Sequence, residues 1–198
     1  KENQDKIYYA CGETVDKIDM LPQVEQLKDK GYVVLYLTDY IDEFVMQVMN
    51  NYDGKNFVNA SSGEVDLDTK EEKEELTKKN EEYKDIFKVM KDTLKDNITD
   101  VRFTHRLKNH PVCLVSEGNV SIEMEKVMNA MPTDDKVKAN TILEINENHE
   151  ISKKLEKLYQ SDKQELEKYT KVLYAQARLI EGLPIENPTE ISNLVCEI

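Results

Sequence analysis

The run from Lys30 to Lys55 constrains this chain more than any other stretch. It reads Lys30-Gly31-Tyr32-Val33-Val34-Leu35-Tyr36-Leu37-Thr38-Asp39, then Ile41-Asp42-Glu43-Phe44, then Tyr52-Asp53-Gly54-Lys55. Residues 32–37 are β-branched, aromatic or leucine, the composition of a central strand. Ile41, Phe44, Val45, Val48 and Met49 recur at helical spacing. Asp42 falls in the first turn of that helix, where a negative charge meets the positive end of the dipole. Asp53-Gly54 is a turn that stops it. Upstream, Ile7-Tyr8-Tyr9-Ala10 reads as a short buried strand, and Val15, Ile18, Leu21, Val24 and Leu27 place one helix over residues 14–30. Lys28, Lys30 and Gly31 form its stop. Strand, helix, strand, helix predicts a small α/β layer with a parallel pair.

Ser61-Ser62-Gly63 breaks this pattern, and most residues from Lys70 to Asp85 are charged with both signs mixed. Such a stretch is a solvated helix or linker. The stripe Tyr83, Ile86, Phe87, Met90 and Leu94 docks its C-terminal end. A second module opens near residue 97 with strands at 101–104, 112–115 and 141–145. Helices are expected over 148–159 and 162–181, the latter capped by Asp162 and stopped by Gly182. A last helix starts at Asn187-Pro188. The predicted class is α+β, divided as 1–66, a charged linking helix over 67–96, and 97–198.

The chain has 198 residues, 39% of them apolar, enough for one or two small cores. Its net charge of -13 repels phosphate backbones and anionic bilayers, so neither nucleic acid nor membrane is expected as a partner. No apolar run is long enough to span a membrane. The N-terminus, Lys1-Glu2-Asn3-Gln4-Asp5-Lys6, is polar and carries no secretory pattern, and its lack of Met suggests a piece of a longer protein. Cys11, Cys113 and Cys196 are widely separated and odd in number, which argues for free thiols and a cytoplasmic setting. His105, His110 and His149 match no compact zinc spacing, and neither a GxGxxG nor a GxxxxGK[ST] loop occurs. No catalytic motif, metal or cofactor is expected.

Two features point to binding instead. Val120, Met124, Val127, Met128 and Met131 share one face of a helix that Pro132-Thr133-Asp134-Asp135 ends. Methionines make an adaptable apolar surface, which serves either a core or a promiscuous grip. Leu166, Tyr169, Leu173, Ala177 and Ile180, followed by Ile191, Leu194, Val195 and Ile198, make the last two helices amphipathic. They pack either on the preceding strands or on a second copy as a dimeric four-helix bundle.

Several motifs, in order, resemble the ninety-kilodalton heat-shock protein family of ATP-driven chaperones in its bacterial form. They are Ile7-Tyr8-Tyr9 with Gly12-Glu13-Thr14, Gly31 through Lys55, Asp100-Val101-Arg102-Phe103-Thr104-His105-Arg106-Leu107, and Pro111-Val112-Cys113-Leu114-Val115. Leu143-Glu144-Ile145-Asn146-Glu147-Asn148-His149 is similar to a family strand ending in Asn-Pro-x-His, with Glu147 in place of Pro, and the tail from Gly182-Leu183 to Asn187-Pro188 resembles the loop before the last helix. The resemblance implies the end of the middle segment followed by the C-terminal domain. It implies client contacts at Glu43, Phe44, Val120, Met124, Val127 and Met128. It implies a homodimer interface at Leu166, Tyr169, Leu173, Ala177, Ile180, Ile191, Leu194 and Ile198. The ATP and Mg of the family belong to segments outside these residues, so this stretch is not expected to be an enzyme. The alternatives are a flavodoxin-like α/β enzyme, which would need a phosphate or cofactor loop after a strand, and a purely structural dimerisation module.

Overall fold

A computed structural model describes residues 4–132 and 136–198. Thr133, Asp134 and Asp135 of the expected helix stop, and the first three residues of the polar N-terminus, lie outside the described residues. The chain is a mixed α+β protein of two compact units. One comprises residues up to Asp66 together with Val115–Asn140; the other comprises Leu67–Leu114 and Thr141–Ile198.

The first unit is built on a four-stranded sheet of order β2-β1-β4-β3. Its strands are β1 (Lys6–Cys11), β2 (Val34–Leu37), β3 (Asn51–Tyr52) and β4 (Lys55–Asn59). β1 pairs in parallel with both β2 and β4, as the strand–helix–strand pattern requires. The run at 32–37 is therefore a sheet edge rather than the centre; β1, with Tyr8, Tyr9 and Ala10 buried, lies inside the sheet. The single helix expected over 14–30 is two, α1 (Val15–Asp19) and α2 (Pro22–Asp29). Proline lacks the N–H that a continuing helix needs, so Pro22 starts a new one at its first position. Gly31 ends α2 in the left-handed region (φ 75°), where its N–H donates to Lys28 O at 2.8 Å and Tyr32 N–H donates to Leu27 O at 2.9 Å. α3 (Asp42–Met49) stops at Asn50, ahead of Asp53-Gly54. Asp53 (φ 49°) and Gly54 (φ 76°) instead turn the β3–β4 hairpin.

The second unit begins with the charged segment, which is two helices rather than one. α4 (Lys70–Glu82) carries a Thr69/Glu72 capping box and buries nothing. α5 (Lys84–Leu94) follows a break at Tyr83 and buries Ile86, Phe87, Met90 and Leu94. A three-stranded sheet of order β5-β7-β6 joins β5 (Asp100–Thr104), β7 (Asn140–Asn146) and β6 (Val112–Glu117). β5 runs parallel to β7. α6 (Ile122–Ala130) belongs to the first unit; α7 (Glu150–Ser161), α8 (Lys163–Ile180) and α9 (Pro188–Glu197) complete the second. Asp162 Oδ1 accepts from Glu165 N at 3.0 Å and Asn187 Oδ1 from Glu190 N at 3.2 Å, the two caps legible in the sequence.

Candidate functional site

α3 is apolar on most of its circumference, and one acid decides which way it faces. Glu43 is 1% exposed. Its Oε1 accepts the Tyr9 hydroxyl at 3.3 Å, and its Oε2 accepts Asn59 Nδ2 at 3.0 Å and the Cys11 thiol at 3.3 Å. Burial first, then the Glu43 charge, pushes both the Tyr9 hydroxyl and the Cys11 thiol well above their ordinary pKa ranges, so both stay protonated as donors. A buried carboxylate with these donors is a fixed anchor for the helix, not a surface group. The expected client contact at Glu43 is thus turned inward.

With Glu43 facing in, the opposite side of α3 faces out. Ile41, Val45, Val48 and Met49 are exposed, Val48 at 88%, and Tyr40 and Tyr52 flank them. The helical stripe that the sequence offers for packing is in large part a solvent-facing apolar surface, an arrangement that marks interaction sites. Phe44 is half-buried. Ser121 caps α6 by accepting from Met124 N at 3.1 Å. Val127 is buried in the unit; Val120, Met124 and Met128 are half-buried, and Met131 is exposed. The Met stripe is therefore partly core and partly surface. Gln47 ties α3 to α6: its Nε2 donates to Asn119 O at 3.2 Å and lies 3.0 Å from Met124 Sδ. Sequence reasoning missed Gln47, because a lone amide in an apolar helix carries no positional signal.

The residues expected at a dimer interface divide. Leu166, Leu173 and Ala177 are buried within the chain, where α8 packs on α5, α7 and α9. They lie in the unit's own core. Tyr169 is half-buried with Lys154 Nζ 4.5 Å above its ring. Ile180, Ile191 and Leu194 are half-buried, while Leu179, Val195 and Ile198 are exposed. α9 is held along α8 by Lys168–Glu197 at 2.9 Å and Lys171–Glu190 at 2.8 Å.

Two polar clusters hold the second unit's framework. Glu144 is buried; Arg102 Nε and Nη2 donate to its Oε1 at 3.0 and 2.6 Å. Arg106 Nε lies 2.8 Å from its Oε2, close enough for strong attraction though not aligned for a straight hydrogen bond. The buried Cys113 thiol is raised by desolvation and then by this carboxylate. His105 bridges Asp68 Oδ2 (3.1 Å) and Glu147 Oε2 (2.9 Å), and Lys79 also pairs with Glu147. His149 Nδ1 accepts from Ile151 N at 3.1 Å and so caps α7. Two of the three histidines therefore have structural posts.

The model of the family described as Hsp90 protein matches residues 1–198. The chain is 47% identical over 197 residues to the chaperone protein HtpG of Bacillus subtilis (strain 168), covering 100% of this chain and 32% of the relative. It is 49% identical over 197 residues to the HtpG of Clostridium botulinum (strain Langeland), again covering 100% of this chain and 32% of the relative. To the HtpG of Natranaerobius thermophilus it is also 49% identical over 197 residues, covering 100% and 31%. The chain thus spans about a third of the length of these curated relatives. The motifs from Gly31 through the tail, the α+β architecture and these matches agree, and the chain belongs to the Hsp90 family.

Proposed function

We propose that this chain is the client-gripping and dimer-forming part of a cytoplasmic Hsp90-type chaperone whose ATP-driven steps reside in the remainder of a longer protein. The observation that carries the reading is the exposed apolar side of α3, held beside the Met stripe of α6 within one unit. Partly folded proteins expose apolar side chains, and burial against such a surface stabilises by about 25 cal/mol per Å² before ordering costs. Phe44, Val120, Met124 and Met128 contribute the half-buried rim, Ile41, Val45 and Val48 the open centre, and Glu43 fixes the helix that presents them. No group in this surface makes or breaks a covalent bond in the proposed role. Among the described residues, no helix is long and apolar enough to cross a membrane.

The test is suppression of aggregation of a heat-denatured enzyme by the wild-type chain and by a Val48→Ser/Met124→Ser/Met128→Ser variant. Losing three apolar contacts of about 1 kcal/mol each weakens binding by roughly a hundredfold, so protection falls while the circular dichroism spectrum is kept. Equal protection by the variant contradicts the reading.

The pairing role falls on the exposed parts of the last two helices, Leu179, Val195 and Ile198, with Tyr169, Ile180, Ile191 and Leu194 beside them. Two α8–α9 pairs related by a two-fold axis would form a four-helix bundle. Light scattering across a dilution series should read a dimer. Val195→Asp/Ile198→Asp should convert it to monomer without unfolding, since both side chains already face solvent. A wild-type chain that is monomeric at micromolar concentration contradicts the pairing role.

A further inference from the structure

A cavity of about 160 Å³ lies within the second unit. Its apolar walls are Leu94 of α5, Ala175 of α8, Ile191 of α9 and Ile185 of the loop between α8 and α9. Arg178, in the last turn of α8, lines it and is only 8% exposed. Its Nε donates to Pro184 O at 2.8 Å and its Nη1 to the Tyr174 hydroxyl at 2.9 Å. Both partners are neutral. Among the described residues, Nη2 has no hydrogen-bond partner and no carboxylate pairs with this guanidinium. Arginine cannot shed its charge, so burying it without a counter-ion is costly, and an anion entering the cavity would relieve that cost.

The charges around the cavity narrow the choice of anion. Lys171 Nζ is already bonded to Glu190 at 2.8 Å, and Glu186 stands exposed at the rim. One open cation beside two acids suits a singly charged group and rejects a doubly charged one. The planar fork of a guanidinium matches a carboxylate. The volume sets the rest of the ligand. An apolar cavity of roughly 150 Å³ holds benzene, whereas drug-sized ligands take roughly 300 Å³ or more. A nucleotide is therefore too large.

We propose that this cavity binds a small monocarboxylate with an aromatic or branched apolar body, its carboxylate on Arg178 and its body against Leu94, Ala175, Ile185 and Ile191. The inference is independent of the α3–α6 surface. It is tested by titrating benzoate into the ¹⁵N-labelled chain and following the arginine Nε–H signals by NMR. The chain has three arginines, Arg102, Arg106 and Arg178, so each signal can be told apart. The Arg178 signal should move and saturate while the other two stay in place. Benzamide, which keeps the shape and loses the charge, should bind roughly tenfold more weakly. Arg178→Met should weaken benzoate roughly tenfold and leave benzamide unchanged, read from the Thr93 and Ile191 amides. Thr93 also lines the cavity, and Thr93→Phe puts a ring into it while leaving the guanidinium in place, so this variant should lose both ligands. Val195→Asp/Ile198→Asp should bind benzoate as the wild type does, since neither residue lines the cavity. A still Arg178 signal, equal binding of benzoate and benzamide, or binding kept in Thr93→Phe overturns the proposal. Binding seen only in Val195→Asp/Ile198→Asp also overturns it, because the occupant would then be a second copy of the chain.

Discussion

Replacing Glu144 with glutamine is expected to destabilise the second unit by about 3–5 kcal/mol. The carboxylate is enclosed, and it neutralises two guanidinium groups that reach it from the same stretch, Arg102 and Arg106. Arg102 is one-third exposed and recovers water when its partner loses charge. Arg106, 7% exposed, does not. Glutamine keeps the shape but turns an NH₂ or a neutral oxygen toward a buried guanidinium that faced a carboxylate. The loss reads as a lower urea midpoint at unchanged slope. A midpoint shift worth less than about 1 kcal/mol would show that the Arg106–Glu144 contact contributes little. The register pair Arg102–Glu144 lies on adjacent β5 and β7, so the same substitution should raise amide exchange in both strands first.

Phe103→Ala is expected to cost a similar amount, about 3–5 kcal/mol, by a different cause. Phe103 is 2% exposed and meets Tyr83 and Phe87 edge-on, with ring centroids 4.7 and 4.9 Å away. These contacts pack the start of α5 against the sheet. Truncation removes both aromatic pairs and leaves a cavity. Tyr83 depends on this packing in a second way. Its hydroxyl donates to Glu156 at 2.9 Å, and burial followed by that carboxylate pushes its pKa up to about 12. The chain has no tryptophan, so the near-ultraviolet circular dichroism reports largely on tyrosine and should lose intensity in the variant. Phe103→Leu, which fills most of the space, should recover more than half of the lost stability. A Phe103→Ala protein with the wild-type urea midpoint would contradict this packing account.

What was legible in the sequence is what depends on local chemistry. The caps Asp162 and Asn187, the stop at Gly31 and the strands around residues 7–10, 101–104 and 141–145 each carry their own signal, and each is in place; Asp53-Gly54 is a turn, but of the β3–β4 hairpin and not the stop of α3. What was not legible depends on partners far along the chain. β4 was missed because Lys55-Asn56-Phe57-Val58-Asn59 has one apolar pair and no run; it exists because β1 offers it a parallel edge. β2 has the composition of a central strand, yet strand order is set by the connections, and those leave it outside. The stripe on α8 showed an apolar face without showing what would cover it, and Leu166, Leu173 and Ala177 turn out to be covered by α5, α7 and α9.

The candidate site divides in the same way. Phe44 and the Met stripe could be picked out by residue type. The direction of α3 could not, because it is set by Tyr9, Cys11 and Asn59 closing around Glu43, contacts 16 to 34 residues apart in sequence. That inward carboxylate is why Val48, part of a stripe that suggests packing, is the most open apolar residue on the helix. The return of Val115–Asn140 to the first unit likewise rests on nonlocal pairing, such as Ser62 with Ser116, in a stretch with no strand pattern at its serine end.

Unfolded protein is proposed to land on the outer side of α3 and on α6. Amide hydrogen exchange of the chain, with and without an excess of a permanently unfolded protein, tests it most directly. Residues 41–50 and 120–131 should gain protection, with α4 and β7 unchanged. Binding that protects other segments and leaves these two as they were would contradict it.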